Sequence, residues 1–170
     1  MGIIFRRDYI VGAILLTVLF QGPKVPAAAQ VSKPKVPGER DKCPVCGMFV
    51  KDYPRWWAEI LYKDGTVVFF DGCKDLFKYY LKPERFGGNS RKRIDAIYVK
   101  DYYNLNWIEA RSAYFVVGSD VLGPMGRELV PLATYEDAKE FSSDHHGKSI
   151  LRFPEIKWDL LLELSEGENM

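Results

Sequence analysis

Cys43-Pro44-Val45-Cys46-Gly47-Met48 places two thiols three residues apart and a thioether two residues beyond the second. Thiolate and thioether sulfur are soft donors. A site that holds both selects Cu(I), whereas zinc is held by thiolate, imidazole and carboxylate. In an extended segment Cys46 and Met48 point to the same side, and Gly47 lets the backbone bend so that their sulfurs converge. The competing reading is a short-loop disulfide between Cys43 and Cys46, with Met48 packed inward. Spacing alone leaves both open. A thioredoxin-like site needs its reactive cysteine at a helix N-terminus, and Gly47-Met48-Phe49-Val50 does not start a helix. Covalent haem needs a histidine where Gly47 stands.

Other donors lie further along. Cys73 sits two residues after Asp71, in the first turn of an expected helix, either as a third reactive sulfur or as a small buried hydrophobe. Met125, between Pro124 and Gly126, is a loop methionine and a ligand candidate. His145 and His146, the only histidines, fall at the end of a second expected helix, where a cation complements the helix dipole. Imidazole is also the donor that a two-sulfur site lacks, so either is a candidate ligand. With the Cys43/Cys46 pair, a zinc module would draw on Cys73 and one histidine. No Ser/His/Asp constellation, paired-carboxylate motif or phosphate-cradling glycine loop is present, and an enzyme is not indicated.

The elements that must position these groups repeat once. Residues 56–61 read as a strand, Lys63-Asp64-Gly65 as a turn and residues 66–70 as the returning strand. Asp71 is read as the cap of a helix from Cys73 to Leu81, stopped by Pro83. Ile94 to Lys100 reads as a third strand. In the second half, residues 113–118 and 128–132 read as strands separated by a longer loop, 119–127, that carries Met125. Thr134 caps a helix from Tyr135 to about His145, and residues 148–153 supply the last strand. The fold class is therefore α+β, with two similar ββαβ units in one compact domain. Residues 154–164 read as a closing helix, with an acidic tail after it. Trp56 and Trp57 point to opposite faces of the first strand, one inward and one toward a contact surface.

At the N-terminus, Arg6 and Arg7 precede an apolar run from Tyr9 to Phe20, and Ala27-Ala28-Ala29 follows it. That is a signal-peptide layout. The run is about a dozen residues, short of the roughly 20 that cross a bilayer as a helix. An uncleaved segment with the Pro-rich stretch behind it would serve as a membrane tether. No cysteine for lipid attachment ends the run. Beyond residue 29 the chain keeps 141 residues (170 minus 29), enough for one ordinary domain. Removing Arg6, Arg7 and Lys24 from 24 basic residues, and Asp8 from 23 acidic ones, leaves 21 against 22. That balance does not point to a nucleic-acid partner. Three cysteines in an exported chain leave one unpaired if two join, and metal ligation or redox chemistry would explain it.

The segments CPVCGM, DGTVVFFDGCKDLFKYYL, AIYVKDY, WIEARSAYFVVGSDVLGPMG, LATYEDAKEF and HHGKSILRF, in that order, resemble the NosL family over about residues 43–156. The family consists of copper-binding accessory proteins of the nitrous oxide reductase system. The resemblance implies a periplasm-facing Cu(I) chaperone that hands copper to that enzyme or a related one, built as two similar ββαβ units. It places Cu(I) on Cys46 and Met48, with Met125, and with His145 or His146 as the family's histidine near the second helix end. The expected organisation is a signal peptide at 1–29, a Pro/Lys-rich linker at 30–42 and the domain at 43–156. Within it the first unit covers 43–101 and the second 107–156; helix and acidic tail occupy 157–170. The rival functions are a thiol-disulfide protein using Cys43 and Cys46, and the zinc module.

Overall fold

The computed structural model describes Gly2 and residues 32–88 and 90–166. The expected signal peptide and the end of the acidic tail lie outside the described residues. Residues 31–170 form one compact unit. No helix among the described residues is long and apolar enough to cross a membrane.

Two antiparallel sheets carry the fold. In the first, β1 (Ala58–Tyr62) turns back into β2 (Val67–Phe70). The Asp64 carboxylate accepts the Thr66 N–H at 3.0 Å, and Gly65 takes φ +84°, the left-handed conformation that glycine adopts without strain. β1 is central, with Glu59 opposite Phe69 on one side and opposite Tyr98 of β3 (Ile94–Lys100) on the other. A fourth strand, β4 (Trp107–Glu109), pairs with β3 and gives the order β2-β1-β3-β4. The sequence reading has no strand there; three residues are too few to display a period.

The second sheet has the order β6-β5-β7, from β5 (Tyr114–Gly123), β6 (Gly126–Leu132) and β7 (Ser149–Arg152). The long loop expected over 119–127 is instead a continuation of the hairpin. Val117 pairs with Leu129, and pairing resumes at Leu122 with Arg127 and Gly123 with Gly126. Residues 118–121 thus oppose Glu128 alone, a wide bulge that begins at Gly118 with φ +77°. The hairpin ends at the two-residue Pro124-Met125 turn.

Helix α1 (Cys73–Leu81) spans the residues expected of it, but Asp71 does not cap it: the N-cap is Gly72, and no side chain bonds the first turn from that position. Helix α2 (Tyr135–Asp144) is capped as expected, the Thr134 hydroxyl accepting the Asp137 N–H at 3.0 Å. Helix α3 (Trp158–Glu166) closes the chain.

One core joins both sheets to α1 and α3. Phe77 of α1 meets Phe115 of β5 edge-on at 5.1 Å and Phe153 at 4.9 Å. A smaller cluster, Val116, Val130, Leu132, Ala138 and Phe141, lies under α2. Residues 32–37 lie across the outer face of the first sheet. There the Lys35 N–H donates to both Glu59 carboxylate oxygens, at 3.0 and 3.1 Å, and the Tyr98 hydroxyl donates to the Ser32 carbonyl at 2.9 Å.

Candidate metal centre

The cysteine loop folds on itself before it touches anything else. The Cys43 N–H donates to the Met48 carbonyl, and the Gly47 N–H to the Cys43 carbonyl, both at 2.9 Å. Gly47 sits at φ +81°, and Lys42 pairs with Phe49 as the loop closes. A side chain at position 47 would be strained in that conformation. The indole N–H of Trp57 donates to the Val50 carbonyl at 2.7 Å, tying the loop to the start of the first sheet. Cys43 is thereby buried, while Cys46 and Met48 are half-buried.

Both thiols then meet carboxylates. Cys43 Sγ donates to Asp75 Oδ2 and Cys46 Sγ to Asp71 Oδ1, each at 3.3 Å. One donor atom from each of Cys43, Cys46, Asp71 and Asp75 can be chosen so that all four lie within 4.8 Å of one another. Asp71 directly follows β2 and Asp75 lies in the first turn of α1, and the four-residue interval places them on one side of the helix start. Asp71 is 1% exposed, and its Oδ2 has no hydrogen-bond partner among the described residues. A buried acceptor without a donor is costly, and a bound cation would satisfy it. Asp75 also faces the Lys78 ammonium at 3.5 Å. The Cys43 thiol is pushed well above its ordinary range, first by its hydrogen bond with Cys46, then by burial and by the charges of Asp75 and Asp71. A thiol in that setting keeps its proton until a cation replaces it.

The second half reaches this place through its hairpin. The Lys74 ammonium, buried in α1, donates to the Met125 carbonyl, which ties the Pro124-Met125 turn to the helix. Glu128, opposite the bulge, accepts the Lys74 and Leu129 backbone N–H groups and so caps α1 from another strand. Burial lifts its pKa to about 8. Gly72 makes room for it: a Cβ there would lie 2.3 Å from Glu128 Oε2.

The remaining candidates sit apart from the four-group cluster. Cys73 is buried in the first turn of α1, its thiol raised by burial and then by the Glu128 charge. His145 is the C-cap of α2; its Nδ1 lies 3.1 Å from Asp120 Oδ1 and its ring lies on Phe141 at 4.5 Å. His146 is exposed, with φ +54°. All three cysteines are free thiols. As ligands, Asp71 and Asp75 do not emerge from the sequence, in which Asp71 reads as a helix cap. The signal was present in Asp71-Gly72-Cys73-Lys74-Asp75, two carboxylates flanking a cysteine at a strand-to-helix junction.

The family model described as NosL matches residues 34–161. The copper-binding lipoprotein NosL of Stutzerimonas stutzeri is 34% identical over 140 residues, which cover 77% of this chain and 70% of that protein. The crystal structure of the copper chaperone NosL from Shewanella denitrificans superposes with a TM-score of 0.65 at 29% identity, over 75% of this chain and 97% of that one. The solution structure of apo-NosL from Achromobacter cycloclastes matches with a TM-score of 0.45 at 28% identity, over 61% and 87% of the two chains. In the extent of the matched residues and in the identity to a curated relative, this chain belongs to the NosL family.

Proposed function

We propose that this protein is an exported, non-enzymatic Cu(I) chaperone that receives copper on Cys46 and Cys43. Met48 and Met125 stand as the thioether donors, and the copper goes to a periplasmic copper enzyme, nitrous oxide reductase or a relative of it. The observation that carries the reading is the pairing of each thiol with its own carboxylate inside one 4.8 Å cluster. Thiols must lose their protons to hold a metal, and Asp75 and Asp71 are the groups that accept the S–H bonds. The half-buried Cys46 and Met48 leave an approach for an acceptor's sulfur or imidazole, which ligand exchange requires. The names of the relatives support copper as cargo, and "lipoprotein" in one of them agrees with export. The signal-peptide layout of residues 1–29 supports a periplasmic location, with a membrane tether if it is retained.

The two carboxylates favour a second reading, since two thiolates and two carboxylates also suit zinc. One experiment separates them. The purified protein is titrated anaerobically with Cu(I) against a chromophoric chelator, and separately with Zn(II), for wild type, Cys46→Ser and Met48→Leu. The chaperone reading expects tight Cu(I) binding that weakens in both variants. Zinc binding that survives Met48→Leu, with no Cu(I) retained against the chelator, overturns it.

A further inference from the structure

The segment that follows α1 is basic. Between Lys78 and Arg93 the chain carries Lys78, Lys82, Arg85, Arg91, Lys92 and Arg93 against a single carboxylate, Glu84. Lys78 and Arg93 are engaged by Asp75 and Asp64. Arg85, Arg91 and Lys92 are exposed, and none has an ion-pair partner within 4.0 Å among the described residues. Aromatic rings hold several of these cations in place: Lys82 and Arg85 lie over Trp158, at 4.0 and 5.3 Å, and Arg91 lies over Tyr80 at 5.5 Å. A common concavity lined by Glu84, Ser90, Arg91 and Lys92 brings the two segments together.

The place where the chain enters the domain lies beside this patch. The Ser32 N–H is 3.4 Å from Asp95 Oδ2, two residues after Arg93 at the start of β3, and Lys33 follows, exposed. Only the 11 residues 21–31 separate that point from the apolar run that ends at Phe20. Fully extended, they reach about 40 Å at most. A surface of unpaired cations at the end of a short tether, on a chain whose overall charge is close to zero, matches an anionic headgroup layer.

We propose, resting on the reading of residues 1–29 as a retained tether, that the Arg85, Arg91 and Lys92 face rests on anionic phospholipid headgroups of the membrane. Helix α1 is nine residues long and so spans about 14 Å. Asp75 lies in its first turn, and the segment that holds Arg85 follows its C-terminal end. The contact therefore turns the thiol-carboxylate cluster away from the bilayer, toward whatever approaches from solution. The proposal does not depend on which metal that cluster holds.

The test uses the full chain reconstituted into vesicles of phosphatidylcholine alone, or of phosphatidylcholine mixed with phosphatidylglycerol, with lysine acetylation read residue by residue. Lys92 is expected to label several-fold more slowly in the anionic vesicles at low salt and to recover at high salt, while Lys139 on α2 labels equally in both. The double variant Arg85→Gln/Arg91→Gln, altered only at exposed side chains, is expected to lose the protection of Lys92. Equal labelling of Lys92 in the two vesicles overturns the proposal, as does protection that persists in neutral lipid. Stronger protection by a soluble acidic polypeptide than by the anionic vesicles also overturns it, and assigns the face to a protein.

Discussion

The two ββαβ units use one pattern for different ends, and the contrast is sharpest where each helix begins. In the second unit Thr134 caps α2 with its own hydroxyl, only Ala138 and Phe141 of the helix are buried, and the rest of it faces water. In the first unit the cap position is Gly72, which offers no side chain; α1 is buried over Cys73 to Phe77, and two carboxylates at its start turn to the cysteine loop. The missing cap is supplied by Glu128 from the second unit. The unit that breaks the local rule is the one whose thiols and carboxylates cluster.

The largest test of that contrast is to remove one sulfur and one imidazole in parallel. Cys46→Ser is expected to lower Cu(I) affinity by more than about 100-fold, beyond the range usual for groups that only support a ligand. His145→Ala, at the corresponding helix's far end, is expected to change it by less than about threefold, because its ring is held by Asp120 and Phe141. Competition titrations measure both. A large loss with His145→Ala and a small one with Cys46→Ser would invert the assignment of chemistry to the first unit.

The next effect concerns the carboxylates. Asp71→Asn keeps the size of the side chain and removes its charge, and is expected to weaken Cu(I) binding about 10-fold or more, within the range for supporting groups. Asp120→Asn, the carboxylate beside His145, is expected to leave the affinity unchanged. Equal effects would mean that the thiol-carboxylate pairing in the first unit is incidental.

A stability comparison follows. Gly72→Ala drives a methyl group to 2.3 Å from Glu128 Oε2, on a carboxylate whose other oxygen is held by two backbone N–H groups. The expected cost is about 1–3 kcal/mol, the usual range for overpacking. Thr134→Ala removes a local cap and is expected to cost about 1 kcal/mol. Urea midpoints of the metal-free protein give both values; a larger loss for Thr134→Ala would make the local cap, and not the cross-unit one, the firmer joint.

These results also mark what the chain disclosed in advance. The limits of α1 and β3 and the Thr134 cap were legible because each rests on neighbours in sequence: a hydrophobic period, a Pro stop, a hydroxyl three residues ahead of an N–H. The Cys43-Cys46-Met48 loop was legible for the same reason. Asp71 and Asp75 were not, because an Asp before a helix has an ordinary local explanation, and only the 25- and 32-residue closures onto Cys46 and Cys43 reassign it. The 119–127 segment read as a loop because a bulge of several residues erases the two-residue period on one strand while leaving the other intact. The closure of residues 32–37 onto Glu59 left no trace in the sequence, as it uses a backbone N–H that every residue but proline has.

That closure gives the smallest and most specific difference between the units. β1 and β5 are each central in their sheets, but β5 is apolar from Phe115 to Val117, whereas β1 carries the fully buried Glu59. Burial raises the Glu59 pKa from 4.5 to about 7, against the opposing pull of the Lys35 N–H and of the Lys35 and Lys100 charges. A carboxyl group whose folded pKa is raised binds its proton more tightly in the native state. Its contribution to stability is therefore full below pH 4.5 and is lost as the pH rises through about 7. Melting temperature measured across that window is expected to fall with pH in the wild type, and to fall less in Glu59→Gln. Gln keeps an oxygen for the Lys35 N–H and never has to bury a charge. Identical slopes in the two proteins would show that Lys35 and Lys100 already neutralise Glu59, and would make the first unit's central strand as indifferent to pH as the second's.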